Sequence, residues 1–440
     1  MQIDFVRVGA YRSLYDVQLT PAHLSVLVGP NNSGKSNALD ALDFLGEVHR
    51  SGVEVALIRK GGFENVAHRR MRRTKRPIEI EIQASFTREE IQHRRGRRVP
   101  RRSEEAQLFD PDPFASRAVT LRHCFALKAV SGRMDTDFSV LKEEIEIVAV
   151  NENGRQRSVI VRRERQDVVW DLTKAGPPQS GDARSESEFY PIDDVDFQAF
   201  AEKNVRETEL LTGVLTYNSF ISTLQGALAS SKLCHLSPKS CREPGVSSPN
   251  ADIEASGSNL PALAAHLARS YPGSWERVIS AMRMIVPDLE DIRIDFTHDR
   301  RLTLEFVERG VGRAWTSEDV SDGTIQSLAL FSVLFDPRSA FALIEEPENS
   351  VHPWIIRNFV DACREAVDKQ VLITTHSPVL INYLGPEDIS LVWRKGGRTT
   401  IAPLTSLDPD LVDAWERGEI GLFDIFDTGV IAQSVPGGFA

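Results

Sequence analysis

The sequence predicts an α/β protein, with a mixed or parallel sheet flanked by helices, an antiparallel β subdomain and a helical insertion. Three features carry this expectation. An apolar strand runs into a glycine-rich loop and an amphipathic helix over 24–48. Segments within 77–90 and 116–170 alternate apolar and polar residues, as in IEIEIQASF and LKEEIEIVAV. That period of two belongs to an antiparallel sheet with one wet face. From about 324 onward, helices alternate with apolar strands, which calls for parallel strands joined by crossover helices.

In chain order, short strands at 2–8 and 17–19 precede the strand 24–28, and a helix spans about 35–48. The stretch 174–190, rich in Pro, Gly and Ser, is a linker or exposed loop. Helical spacing follows over 194–234, and the Pro-, Ser- and Gly-rich stretch 236–258 reads as mobile. Helices resume at 259–285, with strands at 292–296 and 302–308. The alternating part holds a helix at 324–334, a strand at 340–345, a helix at 353–367 and a strand at 370–374. Strands at 389–394 and 399–403 and a helix at 409–417 close the chain. Three regions result: 1–175 with the glycine-rich loop and the antiparallel subdomain, 176–258 as a helical insertion with mobile linkers, and 259–440 as a C-terminal lobe.

The 440 residues are 41% hydrophobic and 26% charged, as in a soluble globular protein of two or three domains. No run of about 18 apolar residues predicts a membrane span, and MQIDFVRVGAYRSL lacks the apolar core of a signal peptide. A cytoplasmic protein without a membrane partner is expected. Cys124, Cys234, Cys241 and Cys363 are unpatterned. Cys234 and Cys241, with His235 between them, lack the second half of a zinc site and read as unpaired thiols. The net charge of −11 argues against a chain coated in nucleic acid. Two basic blocks stand out: RRMRRTKR, with Arg69, Arg70, Arg72 and Arg73, and RRGRRVPRR, with Arg94, Arg95, Arg97 and Arg98. They fit a solvated loop and equally a surface contacting the phosphates of DNA or RNA.

Gly29-Pro30-Asn31-Asn32-Ser33-Gly34-Lys35-Ser36 matches G-x-x-x-x-G-K-[ST]. In such a loop the backbone N–H groups and the helix N-terminus face phosphates. Gly29 and Gly34 permit a path that a Cβ would block. Lys35 reaches the β- and γ-phosphates, Ser36 ligates Mg²⁺, and Asn37 opens the helix beside them. The segment HLSVLV before the loop and SNALDALDFL after it supply the strand and helix that the motif needs.

AFALIEEPENSVHP carries an apolar strand into Glu345 and Glu346. A carboxylate at a strand end beside a phosphate loop can hold Mg²⁺, which assigns Glu345 to the metal. The next carboxylate can accept a proton from attacking water, which assigns Glu346 as general base. VLITTHSPVLI ends another apolar strand in Thr374, Thr375 and His376, and His376 can contact the γ-phosphate or position the base. Ser321-Asp322-Gly323-Thr324 precedes an apolar helix. It reads as an ordinary N-cap or, from its place about 20 residues before the acidic strand, as a hydroxyl and helix N-terminus set against an anion.

Taken in order, the phosphate loop, S-D-G-T, I-E-E-P-E-x-x-x-H-P and T-T-H-S-P resemble the ABC-type ATPases of the RecF/SMC group. More narrowly, they are similar to the branch of the overcoming-lysogenization-defect nucleases and related bacterial anti-phage ATPases. The opening VRVGAYRSLYDVQL also resembles that branch, and the likeness covers about 1–70 and 255–420. It implies an ABC-type ATPase head in which two chains sandwich two ATPs. Ser321 and Gly323 would then act on the opposite subunit's nucleotide, Asn349, Ser350 and His352 would fall at the dimer seam, and Arg12 would lie near the adenine. Glu345 stands where ABC transporters have Asp, as is common in the narrower branch. The glutamine-loop position stays open among Gln83, Asn65 and His68.

Residues 377–440 offer too few elements for the TOPRIM nuclease domain of that branch, and no heptad run predicts a coiled-coil arm. The expectation is an ATPase that dimerises around ATP and controls a separately encoded effector, a nuclease or toxin, in phage defence, with nucleic acid as a candidate signal. The alternative is a RecF-like DNA-binding ATPase of repair or recombination.

Overall fold

The computed structural model describes residues 1–68, 76–86, 116–130, 138–151, 156–173, 205–215, 219–249, 251–339, 341–366 and 369–427. The chain divides into two compact units: Met1–Thr20 with Glu47–Leu228, and Pro21–Gly46 with Ala229–Ala440. The phosphate-loop segment therefore groups with the C-terminal half of the chain.

In the first unit β1 (Gln2–Tyr11) and β2 (Leu14–Leu19) form a hairpin, and β1 continues into β4 (Ile78–Phe86). Next in order come β5 (Ser116–Ala129), β6 (Phe138–Asn151), β7 (Gln156–Glu164) and β8 (Asp167–Thr173). Every pairing along this sheet is antiparallel. The predicted alternation is realised most plainly in β4, where Ile78, Ile80, Ile82, Ala84 and Phe86 are buried and the residues between them half-buried. Phe220 covers Phe86 edge-on, with ring centroids 5.1 Å apart.

The second unit holds a mixed sheet. Its order is β16 (Arg398–Pro403), β15 (Ile389–Lys395), β3 (Leu24–Val28), β14 (Gln370–Thr375), β13 (Phe341–Glu345) and β9 (Leu233–Cys234). Only β15–β16 is antiparallel; the other pairings are parallel. A parallel strand covered on both faces reads as a continuous apolar run, and β14 is buried at all six positions. The helix Asp322–Phe335 is buried from Ile325 to its end, and the helix Pro353–Glu365 buries Ile355, Ile356, Phe359 and Val360. A separate antiparallel sheet, β10 (Leu289–Phe296), β11 (Leu302–Glu308) and β12 (Trp315–Thr316), completes the unit.

One expectation is corrected. Within 236–258, read as mobile from composition, the described residues are tied into the second unit. His235 and Ser237 donate backbone bonds to Ala255 and Ser256, and Gly245 and Leu302 exchange both of theirs. Backbone pairing and the buried Cys241 override a composition that locally favours turns.

Candidate functional site

The site is built inside the second unit at the ends of three parallel strands. Val28 of β3 lies opposite Thr375 of β14, and Thr374 lies opposite Glu345 of β13. Register alone therefore gathers the start of the phosphate loop, the strand-end threonines and the acidic pair.

Gly29 begins the loop under a steric limit, since a Cβ there would stand 2.0 Å from the Val392 carbonyl oxygen of β15. Asn32 and Gly34 take positive φ, 63° and 110°. The helix α1 (Lys35–Ser51) starts at once, its first turn closed by Ala38 N–H donating to the Gly34 carbonyl at 3.1 Å. The Lys35 ammonium folds back onto the carbonyls of Gly29 and Pro30, at 2.7 and 3.1 Å. Burial lowers its pKa, while the charges of Glu346 and Glu345 pull it up. Asn31, Asn32 and Ser36 are exposed, Asn37 half-buried, and the Ser33 hydroxyl is buried without a hydrogen-bond partner.

The loop has a wall that the sequence reading missed. Thr399 of β16 donates its hydroxyl to the Ser33 carbonyl at 2.8 Å, and Arg394 of β15 donates to the Asn32 side-chain oxygen at 3.2 Å. No local signal marks these residues, because they meet the loop only through the pairing of β15 with β3.

On the acidic side Glu345 is mostly buried, with His235 Nδ1 3.8 Å from its carboxylate. Glu346 turns into left-handed backbone, φ 46°, a conformation costly for a non-glycine residue and concentrated at functional sites. Its N–H donates to the Thr374 carbonyl at 2.9 Å. One carboxylate oxygen accepts from the Asn349 amide at 3.0 Å, and the other is hydrogen-bonded to His376 Nε2. The Asn349 bond first, and His376 with it, hold this carboxyl below the usual carboxylate range against the effect of burial. The carboxyl is thus held in its charged form. His376 stays about half exposed.

Ser321 caps the helix Asp322–Phe335, its hydroxyl accepting the Thr324 N–H at 3.1 Å. Asp322 is exposed and paired with Arg242 at 2.7 Å. Arg242 also donates to the carbonyls of Ser317 and Val320, at 3.0 and 2.9 Å. A Cβ on Gly323 would meet the Ser350 carbonyl at 3.3 Å. The structure thus realises the N-cap reading of Ser321 and puts Arg242, from the stretch read as a linker, under the same turn.

Arg12 belongs to the first unit, at φ 44°, its N–H donating to the Val66 carbonyl. Gln83, Asn65 and His68 are in that unit too, bonded to Asp4, Gly61 and the Arg12 carbonyl. Arg69, Arg70, Arg72, Arg73, Arg94, Arg95, Arg97 and Arg98 fall outside the described residues. No helix of the described residues is long and apolar enough to cross a membrane.

A family model described as "AAA ATPase domain" matches residues 1–224, and one described as "AAA domain, putative AbiEii toxin, Type IV TA system" matches 132–382. No curated protein matches. Among solved structures, an SMC head bound to the C-terminal winged-helix domain of ScpA aligns at 13% identity and a TM-score of 0.46, over 91% of this chain and 97% of that one. An SMC head with an extended coiled coil from Pyrococcus furiosus, bound to the C-terminal domain of ScpA, aligns at 14% and 0.45, over 95% and 100%. The SMC head from Thermotoga maritima aligns at 12% and 0.36, over 92% and 99%. Likeness at that distance bears on neither activity nor partners. The family models are different in weight: each spans more than half of the chain, and the protein belongs to the AAA ATPase domain family and is an ATPase.

Proposed function

We propose that the phosphate loop, Glu345, Glu346 and His376 form one half of a composite ATP site completed by Ser321 of a second copy of the chain. The observation that carries this is the Glu346 carboxylate, held charged between Asn349 and His376 within electrostatic reach of Lys35. The loop N–H groups from Asn31 to Asn37 and the Lys35 ammonium bind the phosphates. The buried, unpartnered Ser33 hydroxyl and the wall against Gly29 fit an anion seated in the loop. Ser36 and Glu345 would hold Mg²⁺, a ligand set of the size this ion uses beside phosphate oxygens; when bound it neutralises charge on those oxygens.

Glu346 accepts a proton from water as the water oxygen bonds to the γ-phosphorus and the bond to the ADP oxygen breaks. His376 orients that carboxylate through their hydrogen bond. The exposed Ser321 hydroxyl and Gly323, at the N-terminus of a helix whose later turns are buried, suit contact with the partner's γ-phosphate.

In this reading ATP-dependent pairing switches a separately encoded effector, a nuclease or toxin, in anti-phage defence. The description of the family model over 132–382, "AAA domain, putative AbiEii toxin, Type IV TA system", is compatible with a toxin-linked role, and the arginine blocks are the candidate nucleic-acid contact. Mixing Ser321→Arg chains with Lys35→Ala chains tests the composite site. One competent site per heterodimer should restore ATP turnover, and no recovery above either parent would overturn pairing in trans. For the role, cells carrying the gene with its neighbours should resist phage and lose resistance with Lys35→Ala. Sensitivity to DNA damage without any change in phage resistance would favour repair instead.

A further inference from the structure

We infer that Glu348 is a positioning residue that sets the His376 imidazole against Glu346. The inference rests on the reading of Glu346 as general base and His376 as its partner. Thr375, fully buried at the end of β14, donates its hydroxyl to Glu348 Oε1 at 2.6 Å. The same hydroxyl oxygen accepts the Ser377 N–H at 2.9 Å. A hydroxyl has one proton, and with its oxygen taken by Ser377 that proton goes to Glu348. The order is therefore Ser377 N–H to Thr375 Oγ–H to Glu348, and it fixes the backbone on both sides of His376.

Glu348 belongs to the turn that carries the base. Asn349 N–H donates to the Glu346 carbonyl at 3.1 Å, and Val351 N–H to the Glu348 carbonyl at 3.2 Å. Two segments, 346–351 and 374–377, are thus tied three times: by Glu346 N–H to the Thr374 carbonyl, by Glu346 to His376, and by Glu348 to Thr375. The last of these is made by Glu348. Its other carboxyl oxygen is buried without a partner, a cost that an apolar side chain would avoid. What the acid supplies at that cost is the acceptor for Thr375.

Steady-state ATP turnover of purified full-length variants tests this. Glu348→Ala should lower kcat on the order of 10- to 100-fold, the effect of a small misplacement of a reacting group. KM and the affinity for a non-hydrolysable ATP analogue should stay within about two-fold, since ground-state binding is untouched. Glu348→Gln keeps the acceptor oxygen and should restore most of kcat. Thr375→Val removes the donor and should reproduce Glu348→Ala, so it decides the matter if the alanine variant does not fold. Glu348→Ala added to His376→Ala should cost nothing further, because one acts through the other. Unchanged kcat in both single variants, or losses that add in the double one, would overturn the inference. Glu346→Gln is the control: if it still turns over ATP, the assignment of the base fails. If it is dead while Glu348→Ala and Thr375→Val are normal, only the role of Glu348 fails.

Discussion

Each unit contains a glutamate hydrogen-bonded to a histidine, and the two pairs have opposite settings. In the first unit Glu143 and His123, 2.9 Å apart, are both 0% exposed. The second carboxylate oxygen accepts the Leu211 N–H at 2.7 Å. Arg163, opposite Glu143 on β7, is buried and donates to the carbonyls of Arg165, Arg206 and Glu209. In the second unit Glu346 and His376 stay 31% and 47% exposed at strand ends. The same two side chains serve structure where they are enclosed between strands, and are available to a reactant where strands stop. Burial and strand position, not residue type, separate a pair enclosed in packing from a pair open to solvent.

The largest effect that would test this contrast is at the open pair. Glu346→Gln should cut ATP turnover by at least about 10²-fold, the scale of losing a general base, while the protein still retains ATP; phosphate release and equilibrium dialysis read the two quantities. The closed pair should respond in the other currency. Glu143→Ala leaves the Leu211 N–H unpaired and Arg163 without its facing charge, and should cost about 3–5 kcal/mol of stability in urea unfolding. Turnover per folded molecule should stay normal, and a specific loss of kcat would break the comparison.

Acid should also divide the regions. His49, half-buried beside His123 with ring centroids 5.7 Å apart, has its pKa pushed by burial, and then by His123, from 6.5 down to about 3. Between those values the unfolded chain binds a proton that the folded chain refuses, so stability is complete above 6.5 and falls as pH drops toward about 3. His49→Phe should flatten that slope in melts compared between about pH 7 and about pH 5; an equal slope would remove His49 from the account. The smallest effect is expected at the surface. Arg7 and Asp16, paired at 2.7 Å but 50% and 44% exposed, should yield less than about 1 kcal/mol to Asp16→Asn.

What could be read from the sequence follows the same division. Parallel strands buried on both faces announce themselves as apolar runs, so Glu345 and His376 stood out as the polar residues where such runs stop. The alternation of β4 to β8 was equally plain, because one face is wetter than the other. The wall of the phosphate loop was invisible: Arg394 and Thr399 lie 362 and 366 residues from their partners, and nothing in RKGGRTT points to the loop. Arg242 was hidden by a composition that favours turns. Glu348 was overshadowed by Glu345 and Glu346, since its work depends on a threonine hydroxyl across the sheet.

The closeness of Gly29 to Val392 carries a consequence for how the protein is made. The phosphate motif leaves the ribosome before its backing strand, which is synthesised more than 360 positions later. A nascent chain would carry the full motif long before the surface that shapes it exists. Contacts this distant in sequence are slow to form, so competence to grip nucleotide waits for the strand that backs the loop.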